Sequence, residues 1–398
     1  MTKESQRIAS LSESQTIAMA QKSRELKARG HDVINMSVGE PDFDTPLHIK
    51  EAAIQAIQDD FSHYPPVPGY PDLIEAIVQK FDKQNHITFS PSQIVVSCGA
   101  KHTLANIFLA LLNQDDEVII PAPYWVSYIE QVKLAEGKSV IIDTHLENEF
   151  KILPDQLKSA ITPRTKALLL CSPSNPTGSV YSRDELARLA EVIAEHEDLY
   201  VISDEIYEHI NYQGKHESIA SFEEIKDRVI IVNGISKGYA MTGYRIGYMG
   251  APEWIAKACA KLQGQMTSGA STIAQRAALA ALSGDQEPTR QMKEAFQHRR
   301  DLIISLLEEI EGIQVNVPKG AFYVFPDVSS FFGMKTNKDE DINNSLDLCM
   351  YILNEVYLAV VPGIAFGAGN NIRISYATSE DNIKEGIGRL KQALEKLK

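Results

Sequence analysis

The sequence is poor in sulfur chemistry. Four cysteines (Cys98, Cys171, Cys259, Cys349) stand far apart in 398 residues with no CxxC pair, which excludes a disulfide framework. The ten histidines include no HExxH, so the helical zinc signature is missing as well. No run approaches the ~18 apolar residues of a spanning helix, and the N-terminal stretch MTKESQRIASLSES has neither an apolar core nor an Arg/Ser-rich presequence. Positive charge is in deficit, 39 Lys+Arg against 53 Asp+Glu for a net of −14, which argues against nucleic acid or an anionic membrane as the main partner. Repeats and low-complexity tracts are absent, and the softest stretch, MKTNKDEDINNS (334–345), reads as an exposed loop. Together these absences predict a cytoplasmic protein in a reducing compartment, in which an anionic ligand must be held by a local cluster of cations.

What is present is apolar residue in quantity, 44% of the chain, enough for sizeable cores and, at this length, for two domains. Thr45–Pro46 marks a helix start, with Ile49, Ala53 and Ile57 recurring at helical spacing. From about residue 93 short apolar strands alternate with helices: IVVS, helix 100–112, EVII, KSVII, ALLLC, helix 183–196, YVIS, VIIVN. Strands apolar on both faces predict an α/β sandwich, a sheet covered by helices on each side. Past residue 290 the pattern changes to a long helix (289–310), VNV, AFYVFPD, a helix near 341–355, LAVVPG, NIRISYA and a last helix. This predicts a smaller α+β domain. We expect a large domain over 45–290 and a small one built from 1–44 with 291–398.

Ligands of open α/β sheets sit beyond the carboxyl ends of the strands, so the residues that follow each strand carry the functional reading. IVVS is followed by CGAKH, where Gly99, Ala100 and Lys101 open a helix whose first N–H groups favour an anion; a packing glycine is the plainer reading. EVIIPAP is followed by YWVSY, where Trp125 offers a stacking face or is simply a core aromatic. ALLLC is followed by SPSNPTG, where Asn175 can donate to a phenolate oxygen or form an Asx-turn. YVIS is followed by DEIY. Asp204 there is costly unless a cation or donors meet it, or is a helix cap, and Tyr207 lies three residues on. VIIVN is followed by GISKGYAMTGYR, in which Ser236, Lys237 and Arg245 lie among glycines without an acidic residue. A lone lysine is usually solvated; a second cation in the same acid-free segment weakens that reading.

These sites describe one ligand. It is flat, dianionic at one end, cationic at a ring nitrogen, anionic at a ring oxygen and electrophilic at one carbon, a description that pyridoxal 5'-phosphate fits. Lys237 is the residue expected to join it covalently, its pKa lowered by burial among cations. The glycines near Gly238, Gly243 and Gly247 do not form GxGxxG and follow a late strand, which argues against a nicotinamide-binding sheet.

The chain resembles the class I aminotransferases, and within them the bacterial aspartate aminotransferases, through GEPDFDTP, SPSNPTG, ISDEIYE, SKGYAMTGYRIGY, GAFYVF and NIRISYATS in this order. The resemblance implies the fold-type I architecture: a mostly parallel seven-stranded sheet covered by helices, plus a smaller α+β domain. It also implies a homodimer with shared active sites and transfer of an amino group between an amino acid and a 2-oxo acid. It makes Lys237 the cofactor lysine, Asp204 the partner of the ring nitrogen, and Asn175 with Tyr207 the holders of the ring oxygen. Trp125 would stack on the ring, and Arg245 with Gly99, Ala100 and Lys101 would bind the phosphate. Tyr64 would reach the neighbouring subunit's phosphate. Arg373 would clamp the substrate α-carboxylate, and Gly39 would lie in a loop over the substrate. Lys101, Ser14 and Thr16 would meet an acidic side chain, which favours aspartate with 2-oxoglutarate; aromatic donors or prephenate, or a lyase on the same fold, are the alternatives. Three positions before the lysine, where many relatives carry a hydroxyl, stands Gly234, so Ser236 or backbone groups would have to replace it.

Overall fold

The computed structural model describes residues 4–12 and 15–398. Its strands, in chain order, are β1 (Ile34–Asn35), β2 (Ile94–Ser97), β3 (Glu117–Ala122), β4 (Lys138–Asp143), β5 (Thr165–Cys171), β6 (Tyr200–Asp204), β7 (Val229–Gly234), β8 (Gly247–Gly250), β9 (Tyr323–Val324), β10 (Leu358–Ala359), β11 (Val361–Pro362) and β12 (Ile372–Ser375). Seven of them form one sheet in the order β2-β8-β7-β6-β5-β3-β4, in which only β8 runs antiparallel to its two neighbours.

The central strands carry unbroken Val/Ile/Leu runs because both of their faces are covered, and β2 and β7 are buried along their whole length. β4 departs from the expectation of strands apolar on both faces. It is one of the two edge strands, and its Lys138, Ile141 and Asp143 are exposed. Strand β8 has no counterpart among the expected strands, and its glycines explain why. A Cβ on Gly247 would fall on the backbone of Gly99 and Ala100, and one on Gly250 would fall on the Phe89 ring. The strand trades β-propensity for a close approach of its neighbours.

One apolar cluster lies on one face of this sheet, from Ile49 and Leu73 through Val96, Leu168, Val201 and Ile231 to Ala278. A second fills the other face, with Leu104, Phe108, Val118, Tyr128, Ile202 and Cys259. A third joins Met19, Val33 and Met36 from the N-terminal segment to Phe296, Leu307, Tyr323, Leu353, Ile374 and Leu390. The parallel pair β1-β10 and the antiparallel sheet β11-β12-β9 belong to this last region.

The helix expected at Thr45–Pro46 runs Leu47–Gln58. Thr45 does not cap it; its hydroxyl donates to the carbonyl of Ala240 at 2.7 Å instead. That helix buries Ile49 and Ala56 and leaves Leu47, Ile54 and Ile57 exposed. The helix expected near 341 starts at Ser345, where the Asn344 side chain accepts from the N–H groups of Leu346 and Asp347. The VNV segment forms no strand; an isolated bridge joins the preceding Gln314 to Asp327. No described helix is long and apolar enough to cross a membrane.

Candidate active site

A cavity of about 340 Å³ opens beyond the carboxyl ends of β5, β6 and β7. It gathers Gly39, Ala100, Lys101, Trp125, Asn175, Asp204, Tyr207, Ser236, Lys237, Arg245 and Arg373. Of the other expected residues, Gly99 lies directly beneath, packed on Arg245. Tyr64 lies elsewhere and is 93% exposed. Ser14 falls outside the described residues; Thr16 is in the helix Gln15–Ala28, with its side chain likewise outside them.

Asp204 ends β6 and is 3% exposed. Its Oδ2 accepts from the Tyr128 hydroxyl at 2.7 Å and its Oδ1 from the N–H of Ile206 at 3.2 Å. Burial dominates and pushes its pKa up to about 6, against the two hydrogen bonds that favour the anion. Tyr128 remains a phenol donor, since burial first and then the Asp204 charge raise its pKa well above the usual value.

Lys237 follows β7, and its ammonium donates to the Gly39 carbonyl at 2.5 Å. Desolvation lowers its pKa to about 8; Glu40 opposes this and the charges of Arg373 and Arg245 add to it. A lysine so poised has a substantial neutral fraction near neutral pH, which both nucleophilic attack and proton abstraction require.

Arg373 on β12 is 2% exposed, and its guanidinium lies over the rings of Tyr323 and Phe366, 4.5 and 4.9 Å from their centroids. One guanidinium nitrogen donates to the Asn175 side-chain oxygen at 2.9 Å and another to the Ser37 carbonyl at 2.7 Å. Its Nε is buried without a protein partner. Because the Asn175 oxygen is taken by Arg373, the amide nitrogen is left to donate. The Tyr207 and Tyr323 hydroxyls lie 2.8 Å apart.

At the other end of the cavity Arg245 adopts a left-handed backbone, φ 56°. Its guanidinium donates to the Thr242 carbonyl at 2.9 Å and the Cys98 carbonyl at 3.4 Å, and among the described residues no carboxylate pairs with it. Gly99 has φ +86° and caps the helix Ala100–Leu111; a Cβ there would collide with the Arg245 guanidinium. Glycine at this position brings a helix N-terminus and an arginine against one another, a cradle for a dianion. Gly234 does not line the cavity, and a Cβ there would press on the Ile246 carbonyl and the Gly247 backbone of β8. The buried Ser236 does line it. Lys101 turns its ammonium over the Trp125 ring, 4.9 Å from the centroid, where desolvation and then Arg245 lower its pKa.

Sequence reasoning missed Tyr128, Tyr323, Thr242 and Cys171, all of which line the cavity. A signal for the first existed: Tyr128 follows Trp125 by three residues, one helical turn, and so can share its face. Tyr323 had none, because a tyrosine in AFYVF looks like any strand aromatic.

A helix N-terminus with arginine, a buried carboxylate and a lysine of lowered pKa around one cavity define an enzyme that binds pyridoxal 5'-phosphate. The chain belongs to the family Aminotransferase class I and II, whose model matches residues 31–390. It is 47% identical over 392 residues to an aspartate aminotransferase of Bacillus subtilis, covering 98% of each chain. It is 46% identical to an aspartate/prephenate aminotransferase of Nitrosomonas europaea, covering 98% of this chain and 99% of that one. Among solved structures, the aspartate aminotransferase of Rhizobium meliloti superposes with a TM-score of 0.97 at 41% identity, covering both chains completely. The protein is a class I aminotransferase of the fold-type I architecture, and pyridoxal 5'-phosphate is its cofactor.

The residues present fit that cofactor. The Gly99–Arg245 cradle suits a phosphate, the buried Asp204 carboxyl, with which no cation pairs among the described residues, suits a ring cation, and the Asn175 amide nitrogen suits a ring oxygen.

Proposed function

We propose that this protein transfers the amino group of L-aspartate to 2-oxoglutarate by a ping-pong mechanism, with one site serving both half-reactions. The observation that supports the reaction class is the enclosure of Lys237, Asp204 and Arg373 in one cavity. The relatives named aspartate aminotransferase support the donor. Lys101 at the rim supports an acidic side chain, because a cation beside the cavity mouth rewards a distal carboxylate.

When bound, pyridoxal 5'-phosphate supplies an aldehyde that joins amines and a ring that stabilises charge on the attached carbon. The protein's own residues do the rest. Gly99, Ala100, Ser236 and Arg245 would hold the phosphate, with Tyr64 reaching the site of a second subunit. Trp125 would cover the ring, Asn175 and Tyr207 would hold its oxygen, and Asp204 would keep its nitrogen protonated. Arg373 clamps the α-carboxylate with two parallel N–H donors and so fixes which bond at Cα lies across the ring, while Gly39 closes over the substrate. Lys237 Nζ takes the proton from Cα. Selecting the C–H bond in this way separates amino-group transfer from loss of CO₂ or ammonia.

The reading includes two domains, 45–290 and 1–44 with 291–398, a cytoplasmic location and a homodimer. The exposed Leu47, Ile54 and Ile57 on one helical face support a covered surface there. A second donor class has support in the relative named aspartate/prephenate aminotransferase. A panel of amino donors with 2-oxoglutarate, run on the wild type and on Lys101→Ala, tests the substrate. Aspartate turnover should fall about tenfold or more relative to aromatic donors, on the scale of one lost charge-assisted hydrogen bond. Turnover of aspartate that survives intact sinks the acidic-substrate reading. Release of ammonia or CO₂ in place of transfer would overturn the reaction class.

A further inference from the structure

On the side of Asp204 that faces away from the cavity lies a buried ionic network that the reaction does not touch. Glu205, 1% exposed, accepts from the hydroxyls of Ser203 at 2.9 Å and Ser218 at 2.5 Å, and its other oxygen lies 3.0 Å from His216 Nε2. Glu208 pairs with the buried Lys80 ammonium. Asn85 links that pair, accepting from Lys80 and donating to Glu208 at 3.0 Å. Glu205, Glu208 and His216 bring ligand-type atoms within 4.8 Å of one another. Lys80 already occupies the cation's place, so the cluster reads as an ion-pair network and not as a metal site.

The groups that face His216 are Glu205 and Glu208 of the turn after β6, His209 beyond them and Lys80 of the helix Pro71–Lys80. The phenols of Tyr239 and Tyr248 face the same carboxylates. Desolvation would lower the His216 pKa, but the two carboxylates outweigh it and raise the pKa overall. His209 shifts the other way, to about 4, chiefly by burial. The cluster therefore sets two basic side chains, Lys80 and His216, against two carboxylates, Glu205 and Glu208. The balance reaches the cavity, because the Glu205 charge opposes ionisation of its chain neighbour Asp204.

We propose that His216 is a positioning residue for the reaction: by pairing with Glu205 behind the end of β6 it cancels that carboxylate's charge and holds Asp204 as the anion that meets the ring nitrogen. The inference rests on the role given to Asp204 above.

The test uses the full-length chain freed of cofactor and measures binding of pyridoxal 5'-phosphate and of its carbocyclic analogue, which has carbon in place of the ring nitrogen. Asp204→Asn should weaken binding of the first at least tenfold more than of the second; equal losses overturn the Asp204 reading and the inference with it. Given that selectivity, His216→Gln should show the same selective loss, about three- to tenfold. The double variant His216→Gln/Glu205→Gln should regain most of it, since both charges are then gone. Equal losses for the two ligands in His216→Gln, or no recovery in the double variant, overturn the inference while leaving Asp204's role intact. Nitrogen-15 NMR of the wild-type imidazoles, which needs no variant to fold, should find His216 as imidazolium at pH 7.5; a neutral ring there also overturns it.

Discussion

The Tyr128 hydroxyl donates to Asp204 Oδ2 at 2.7 Å, from a helix on one side of the cavity to the end of a strand on the other. This bond works against burial, which alone would drive the carboxylate further toward its neutral form. Tyr128→Phe removes it at little cost in volume. A hydrogen bond to a charged group contributes about 1.5–3 kcal/mol, so the Asp204 pKa should climb from about 6 by roughly one unit or more. Titration of the Asp204 carboxyl by carbon-13 NMR in the cofactor-free protein checks this directly. An unmoved pKa in Tyr128→Phe would show that the hydroxyl does not support the anion.

Asp204 itself should set function against stability. Its folded pKa of about 6 lies above the usual 3.8, so the group costs folding energy at every pH above its unfolded value. The cost is absent below that value, grows through the interval and is complete above pH 6. For a carboxylate only 3% exposed it amounts to about 3 kcal/mol at pH 7. Asp204→Asn should therefore unfold at higher denaturant concentration than wild type when both lack cofactor, by up to that amount, while transamination falls at least a thousandfold. Denaturant titration at pH 7 and at pH 4 separates the effects, since the gain should shrink at the lower pH.

The parts of the site legible in the sequence are those where a strand's apolar run stops and chemistry begins at once. Asn175, Asp204 and Lys237 are legible in this way because a parallel sheet presents all of its carboxyl ends on one side; Arg245 is legible through its acid-free, glycine-rich segment. What could not be read depends on approach across the fold. Tyr128 and Tyr323 are ordinary aromatics until tertiary packing brings their hydroxyls to Asp204 and Tyr207. Strand β8 was illegible because Gly247 and Gly250 answer to Ala100 and Phe89 and not to strand propensity. The same crowding accounts for Gly234, whose missing side chain would otherwise press on β8. The helix Leu47–Gln58 was legible in its start, but the spacing of Ile49, Ala53 and Ile57 does not trace its buried face, since Ile57 lies exposed where Ala56 is buried.

Arg373→Lys tests the clamp. The guanidinium already spends donors on Asn175 and Ser37, so an ammonium would have to choose between holding the site together and holding substrate. Its loss of planar bidentate geometry should lower kcat/KM by about a hundred- to a thousandfold, the scale of two charge-assisted hydrogen bonds partly retained. Most of the loss should appear in KM for the amino acid, because the carboxylate is bound before as well as during proton removal. A fall in kcat alone, with KM unchanged, would count against Arg373 as the carboxylate's holder.

The last prediction concerns Lys237 in the cofactor-free protein. Its pKa of about 8 comes mainly from desolvation, with Arg373 and Arg245 adding to it. Only the neutral amine attacks an aldehyde, so the rate at which the protein captures pyridoxal 5'-phosphate should rise with pH, pass half of its maximum near pH 8 and then level off. A lysine at the ordinary value of 10.5 would still be gaining rate at pH 10. Removing one of the two cations should move the midpoint upward, and Arg373→Gln is the better choice because Arg245 also faces the phosphate. Stopped-flow absorbance across pH 6.5 to about 10.5 reads the midpoint, and borohydride trapping with peptide mapping checks that the modified residue is Lys237. A midpoint above about 9.5, or capture at another lysine, means that the cavity does not activate this amine.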